Sequence, residues 1–356
     1  MAKSYKIGVL TFHRCINYGS YWQARCLVEG LRRRGHDAVL LDHHSRTVDR
    51  AEWKCAFRPT LPTRPPREDY PLYAAKARRF FEAFAALPLS TPFALEDPAA
   101  MEPVDLAVVG SDEVWNLRHP WYAGYPLFFG DGLKAGRVVS YAASFGNHDA
   151  AEAIGEPWAR RLERFAAIGV RDENSRDLVR RAVARDPALV LDPCLQFSRV
   201  CRRTAGAAAA GEVLVYGHSF PDWFVETVRK WAHARRLRLV SLGYRNDWAD
   251  EQRLAAGPEE FAQAMADAGA VVTNFFHGCV FALVNQKPFV CVPSAYRSNK
   301  VSALVASVGA ADRLVDEDAP LAVYEAALDE GLDPAVPARI EALRRHSAAY
   351  LDHALH

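Results

Sequence analysis

Short apolar runs bounded by polar turns alternate along this chain with stretches whose apolar residues recur at helical spacing. Lys6 to Thr11 predicts a buried strand, and Trp22, Leu27, Val28 and Leu31 predict a helix after it. Gly35 stands where that helix should end, in the position of a left-handed cap. Ala38 to Leu41 predicts the next strand, closed by Asp42. Two strands joined through a helix imply parallel pairing with a right-handed crossover. Residues 45–100 are less regular: Pro59, Pro62, Pro65, Pro66 and Pro71 mark an extended insertion, followed by a helix over Leu72 to Leu87. The alternation then resumes. Strands are expected over Val104–Val109, Arg137–Ala143, Ala167–Val170 and Leu189–Leu191, with helices over Pro157–Ala166 and Ser175–Val183.

The low-complexity run 201–211 reads as a linker or surface excursion. A second alternating set follows it. Its expected strands are Val213–Tyr216, Leu237–Leu242, Ala270–Thr273 and Phe289–Val292; its helices are Trp223–Ala234, Pro258–Ala268, Gly278–Asn285 and Lys300–Val308. A last helix, Pro337 to His356, is expected to pack back on the first domain. The expected fold class is α/β, with two Rossmann-like domains facing a cleft: 1–200, carrying the Pro-rich insertion, and 201–356.

Composition narrows the function. The 356 residues include 44 Lys plus Arg against 43 Asp plus Glu, a net charge of +1. Such a balance supplies no large field for nucleic acid or an anionic membrane, so nucleic acid is not an expected partner. No apolar stretch is long enough for a membrane span, and the N-terminus lacks a signal-peptide core. Seven scattered cysteines with no CxxC pair fit the reduced thiols of a cytoplasmic protein better than a disulfide framework or a zinc site, and no metal is expected.

In open α/β sheets, ligands bind beyond the carboxyl ends of the strands. Four polar segments fall there. Asn17-Tyr18-Gly19-Ser20 would present helix N-terminal amides to an anion, or simply cap the helix. Gly110-Ser111-Asp112 with Trp115 and Asn116 offers a hydroxyl, a carboxylate and an aromatic face suited to sugars; equally, Trp115 could sit in the core. Ser144 and Gly146 follow a strand, and Arg171 ends another, where a buried guanidinium requires an anion: Asp172, Asp192 or Glu173 within the protein, or a substrate carboxylate or phosphate. The sharpest segment is Asn274-Phe275-Phe276-His277-Gly278, where His277 opens a helix and can donate a proton. Gly278 would let backbone approach a ligand closely. His13, His43 and His44 are second-line candidates.

Together these segments resemble the polysaccharide pyruvyl transferase family. The matching pieces, in family order, are Asn17-Tyr18-Gly19 with Gln23, Val109-Gly110-Ser111-Asp112 with Trp115-Asn116, Ser140 to Gly146, Val170-Arg171-Asp172-Glu173-Asn174-Ser175, Leu191-Asp192-Pro193, and Phe276-His277-Gly278 with Pro288-Phe289. The resemblance implies a GT-B-like fold and transfer of the enolpyruvyl unit of phosphoenolpyruvate onto a sugar of a surface or extracellular polysaccharide precursor, as a ketal. It implies a glycan or lipid-linked sugar acceptor, no cofactor beyond the phosphoenolpyruvate donor, and a cytoplasmic enzyme, with peripheral association at the inner face of the membrane compatible with it. His277 matches the family's catalytic histidine and Arg171 an arginine that binds the donor. Asp112 is the expected base, and amides near Asn17 and Gly19 would hold the leaving phosphate. One departure stands out: well-studied members carry an Arg two positions before that histidine, where this chain has Phe275. Arg297 or Lys300 would then supply the second cation. A GT-B glycosyltransferase using a nucleotide sugar, and a non-catalytic glycan-binding relative, remain open at this point.

Overall fold

The computed structural model describes residues 4–206, 211–294 and 298–356. In chain order the first elements are β1 (Lys6–Leu10), α1 (Tyr18–Arg33), β2 (Asp37–Leu40), β3 (His43–His44), α2 (Arg46–Phe57), α3 (Tyr70–Ala85), β4 (Phe93–Ala94), β5 (Val104–Val109) and β6 (Ala135–Ser140). Next come α4 (Glu156–Glu163), β7 (Gly169–Val170), α5 (Glu173–Val183), β8 (Ala188–Leu189), α6 (Pro193–Gln196) and α7 (Ser198–Cys201). The remainder is β9 (Glu212–Tyr216), α8 (Asp222–Ala234), β10 (Arg238–Leu242), β11 (Glu251–Arg253), α9 (Pro258–Asp267), β12 (Ala270–Thr273), α10 (Phe276–Val284), β13 (Phe289–Cys291), α11 (Ser298–Val308), α12 (Leu321–Asp329) and α13 (Ala335–Leu355).

These elements form two compact units, one of residues 1–52, 86–200 and 341–356, the other of 53–85 and 201–340. The first is built on a sheet of order β2-β1-β5-β6, the second on a sheet of order β11-β10-β9-β12-β13. Every strand pairing in both is parallel, as in Ile7 with Leu106 and Val271 with Leu214. The central strands are near-continuous apolar runs because helices cover both faces of such sheets. Trp115, Phe128, Phe145 and Phe165 fill the first core; Val215, Phe224, Trp231 and Val272 fill the second.

Residues 53–85, read from sequence as part of an insertion in the first domain, count with the second unit. Three polar contacts explain it. Lys76 Nζ donates to the Gly243 carbonyl at 2.9 Å, Arg79 to that of Ala255 at 2.6 Å, and Asp69 accepts from Arg245 at 2.9 and 3.0 Å. The prolines of this stretch conceal a helix, α2, that begins before them. At the other end, residues 341–356 belong to the first unit: Tyr350 donates to the Ser140 carbonyl, Ser347 Oγ accepts from Leu191 N, and Arg344 donates to the Leu195 carbonyl.

In each sheet the chain runs outward on one side of a central strand and then returns to the other side. The reversal falls between β1 and β5 in the first unit and between β9 and β12 in the second. In open sheets of this kind, ligands bind beyond the carboxyl ends of the strands at such a reversal.

Candidate active site

The reversal point of the first unit gathers four segments. After β1, Asn17 caps α1, its Oδ1 accepting from Ser20 N at 3.2 Å. Ser20 Oγ then donates to Asp112 Oδ2 at 2.8 Å, and Thr11 Oγ1 donates to the Ser111 carbonyl at 2.8 Å, joining the β1 and β5 loops. Asp112 lies in the left-handed region at φ 80°, an uncommon place for a side-chain-bearing residue and one often met at functional sites. Its Oδ1 accepts from Glu113 N at 2.8 Å and faces Arg171 Nη2 at 3.6 Å.

Arg171, directly after β7, has a side chain only 2% exposed. Its Nη1 lies 3.5 Å from Asp192 Oδ2 and 3.3 Å from Gln23 Oε1. Burial opposes its charge, but Asp112 and Asp192, with Glu113 and Asp172 behind them, outweigh that and raise its pKa. Asn17, Asp112 and Arg171 are therefore brought together as the sequence suggests, in a cluster where carboxylates outnumber the cation. Gln23 and Asp192 complete it. Their motifs were visible in the sequence, but only the fold shows that both reach the guanidinium.

Other sequence candidates turn inward. Trp115 is fully buried in the first core and donates its indole N–H to the Phe128 carbonyl at 2.8 Å, so it offers no face to a sugar. Ser111 is fully buried and donates to the Ala142 carbonyl. Ser144, also buried, donates to Asp172 at 2.7 Å and accepts from Gly146 N. Gly19 lies in the buried first turn of α1. His13 and His43 are structural as well. His13 Nε2 is 2.9 Å from Asp42 Oδ1, which Arg14 also grips. Burial pushes His43 down to about 3, with the His13 charge adding, so it is neutral and donates to the Thr11 carbonyl.

A buried acid that the sequence reading missed stands behind the β1 loop. Glu52 of α2 accepts from Ile16 N at 3.3 Å and hydrogen-bonds Cys15. Burial pushes its carboxyl up to about 7; the bonds from Cys15 and Ile16 oppose this and the charges of Asp49 and Asp112 add to it. Cys26 of α1 and Cys194 of α6 also lie within 4.8 Å of each other, a proximity with no trace in their spacing.

In the second unit, His277 occupies the first turn of α10, behind the cap residue Phe275. Gly278 is glycine for a reason other than ligand approach: a Cβ there would meet Thr273 Oγ1 at 2.0 Å. That hydroxyl is needed in place, since it donates to the Tyr216 carbonyl at 2.6 Å and accepts from Phe275 N at 3.0 Å. Phe275 is 7% exposed and packs edge-on against Tyr216, His218 and Tyr244. Lys300 is half-buried in the first turn of α11, and Arg297 lies outside the described residues.

Two α/β units built on parallel sheets have the GT-B-like fold, and solved structures of that fold align along the whole chain. They include a UDP-N-acetylglucosamine 2-epimerase (11% identity, 100% of this chain and 96% of that one, TM-score 0.53) and a putative UDP-N-acetylglucosamine 2-epimerase from Listeria monocytogenes (11%, 99% and 97%, 0.52). An alpha-glucosyltransferase in complex with UDP and a 13-mer DNA is similar as well (11%, 98% and 95%, 0.50). Residues 17–296 match the family described as polysaccharide pyruvyl transferase, and the chain belongs to it. The protein is thus a transferase of polysaccharide modification. No curated protein matches the chain. Among the described residues no helix is long and apolar enough to cross a membrane.

Proposed function

We propose that this transferase moves the enolpyruvyl unit of phosphoenolpyruvate onto two hydroxyls of a sugar in a polysaccharide precursor, releasing phosphate and leaving a pyruvate ketal. The observation that carries the reading is the family match over 17–296, which contains His277, Arg171 and Asp112, each in a segment that follows a strand. The acceptor is a polymeric or lipid-linked glycan, and the reaction needs no cofactor besides the donor.

The chemistry asks for an acid, a base and anion contacts. Protonation of the donor's methylene carbon makes its neighbouring carbon electrophilic. A sugar hydroxyl adds there and gives up its proton; the bond from that carbon to the phosphate oxygen then breaks, the phosphate leaving with the electron pair, and a second hydroxyl adds to the same carbon with loss of another proton, closing the ketal. His277, at a helix start, serves as the acid. Asp112 takes the hydroxyl proton, and the carboxylate surplus of its cluster suits a polyhydroxylated acceptor better than a second polyanion. Arg171 holds the donor carboxylate. That guanidinium lies 3.6 Å from Asp112 and 3.5 Å from Asp192.

The test is acceptor-dependent phosphate release from phosphoenolpyruvate over a panel of sugars, with UDP- and GDP-sugars as a parallel donor arm. Phosphate release only with an acceptor present is the expected result. Turnover with a nucleotide sugar alone would replace this reading with glycosyl transfer.

A further inference from the structure

Charge is unevenly spread along this chain. Its net charge is +1, yet residues 53–67 hold Lys54, Arg58, Arg64 and Arg67 with no Asp or Glu among them. All four cations are exposed, and among the described residues none of them joins an ion pair. Surface arginines elsewhere are matched: Arg160 by Glu156, and Arg176 and Arg180 by Asp186. The prolines between Arg58 and Arg67 keep that stretch out of a helix, so Arg64 is carried on irregular chain at the surface.

An aromatic cluster accompanies these cations. Trp53 is 46% exposed, the one exposed residue among the chain's eight tryptophans. Its ring lies 5.7 Å from that of Phe57, one turn further along α2, and 5.0 Å from that of Phe81 in α3. Phe57 and Phe81 are half-buried. The two residues that α2 buries, Val48 and Glu52, both precede Trp53, so its last turn lies outside the core. Lys54 and Arg58 make a row beside that of Trp53 and Phe57, because residues four apart on a helix lie one above the other. Helix α3 is anchored through its other face, where Lys76, Phe80 and Phe84 are buried and Lys76 bonds the Gly243 carbonyl. Arg78, three residues before Phe81 and so on its side of the helix, is exposed; Glu82 is the exposed acid that follows.

We propose that this face of the second unit, centred on Trp53, docks on a lipid bilayer bearing anionic headgroups. Unpaired cations next to exposed rings call for a partner that is anionic and apolar at once. The headgroup region of such a bilayer is that partner: Trp favours the interface, where its ring meets acyl chains and its N–H meets water, and neighbouring Lys and Arg attract anionic headgroups. A soluble polyanion meets the cations alone and leaves the Trp53, Phe57 and Phe81 rings in water. The docking is reversible and weakened by salt, since a few rings and charges amount to far less than a spanning helix. It concerns where the transferase works, and it stands apart from the identity of the donor.

Sedimentation of the full chain with vesicles tests it, without donor or acceptor. Wild-type protein should sediment with vesicles of phosphatidylcholine and phosphatidylglycerol, less so at high salt, and stay behind with phosphatidylcholine alone. Lys54→Gln combined with Arg58→Gln should lower the partition coefficient by about tenfold or more. Trp53→Ser should lower it severalfold at fixed salt. Trp53→Phe should keep most of the binding while losing the blue shift of tryptophan emission that vesicles produce in wild type. Thermal melting confirms that the variants fold; should Trp53→Ser melt early, the charge variant and Trp53→Phe carry the test. Three results would each overturn the proposal. One is wild-type protein that ignores the anionic vesicles. Another is binding that survives both the charge variant and Trp53→Ser. The third is heparin bound as tightly as vesicles and indifferent to Trp53→Ser, which makes the face a polyanion site. Phosphate-release assays are unaffected by any of these, so the donor reading stands or falls separately.

Discussion

His277 and Trp115 make opposite demands of a substitution. A histidine in the first turn of α10 adds little to a core, so His277→Ala should fold and melt as wild type while losing about 10²-fold or more in turnover, the loss expected for a general acid. Steady-state phosphate release alongside a thermal melt checks both halves. Trp115 lies wholly inside the first core with its N–H satisfied. Trp115→Ala should therefore lose about 3–5 kcal/mol of stability in urea unfolding, with any fall in activity tracking the unfolded fraction. Strand-end position offered Asp112, Arg171 and His277 as candidates. It could not say which side chains after a strand meet other polar groups and which are packed into the core or bonded to backbone, and so it also offered Ser111, Trp115 and Ser144, all fully buried. Asp192 was one of three internal partners offered for Arg171, and Gln23 stood in its motif without a role, because their convergence on one guanidinium depends on α1 and α6 meeting in space.

Among elements, the long strands and helices were legible because each buries a continuous run or a regular stripe; Val104–Val109 and Ala270–Thr273 coincide with their sequence expectation. Helix α2 was not, since it buries only Val48 and Glu52, too few to impose a period. That same helix carries a pH-sensitive burden. The folded pKa of Glu52, about 7, lies above its ordinary 4.5, so the folded state holds the proton more tightly. The stability this confers is fully present below pH 4.5 and is lost as pH rises through 7. Glu52→Gln keeps an acceptor for Ile16 N and removes the ionisation. Urea unfolding should then show wild type losing up to about 3 kcal/mol between pH 4.5 and pH 8 relative to the variant. Parallel pH slopes for the two proteins would count against the buried-acid assignment.

At the scale of the whole molecule, the second unit bears the opposite burden. Burial lowers Lys76 from 10.5 to about 7, so its unfolded form binds the extra proton and stability should rise from pH 7 toward pH 10. Lys76→Met should remove that rise, as followed by calorimetry at pH 6, 8 and 9.5. The division of the chain has a further consequence, for synthesis. The first unit takes its last segment, residues 341–356, from the far end of the chain, and Tyr350, Ser347 and Arg344 close it onto Ser140, Leu191 and Leu195. A ribosome that has made the whole β2-β1-β5-β6 sheet still holds the residues that seal it, while the second unit's final strand, β13, has already emerged before them. The domain begun first is thus the domain finished last. Residues 1–200 expressed alone should lack a cooperative thermal transition, and a separately supplied peptide spanning 335–356 should restore one.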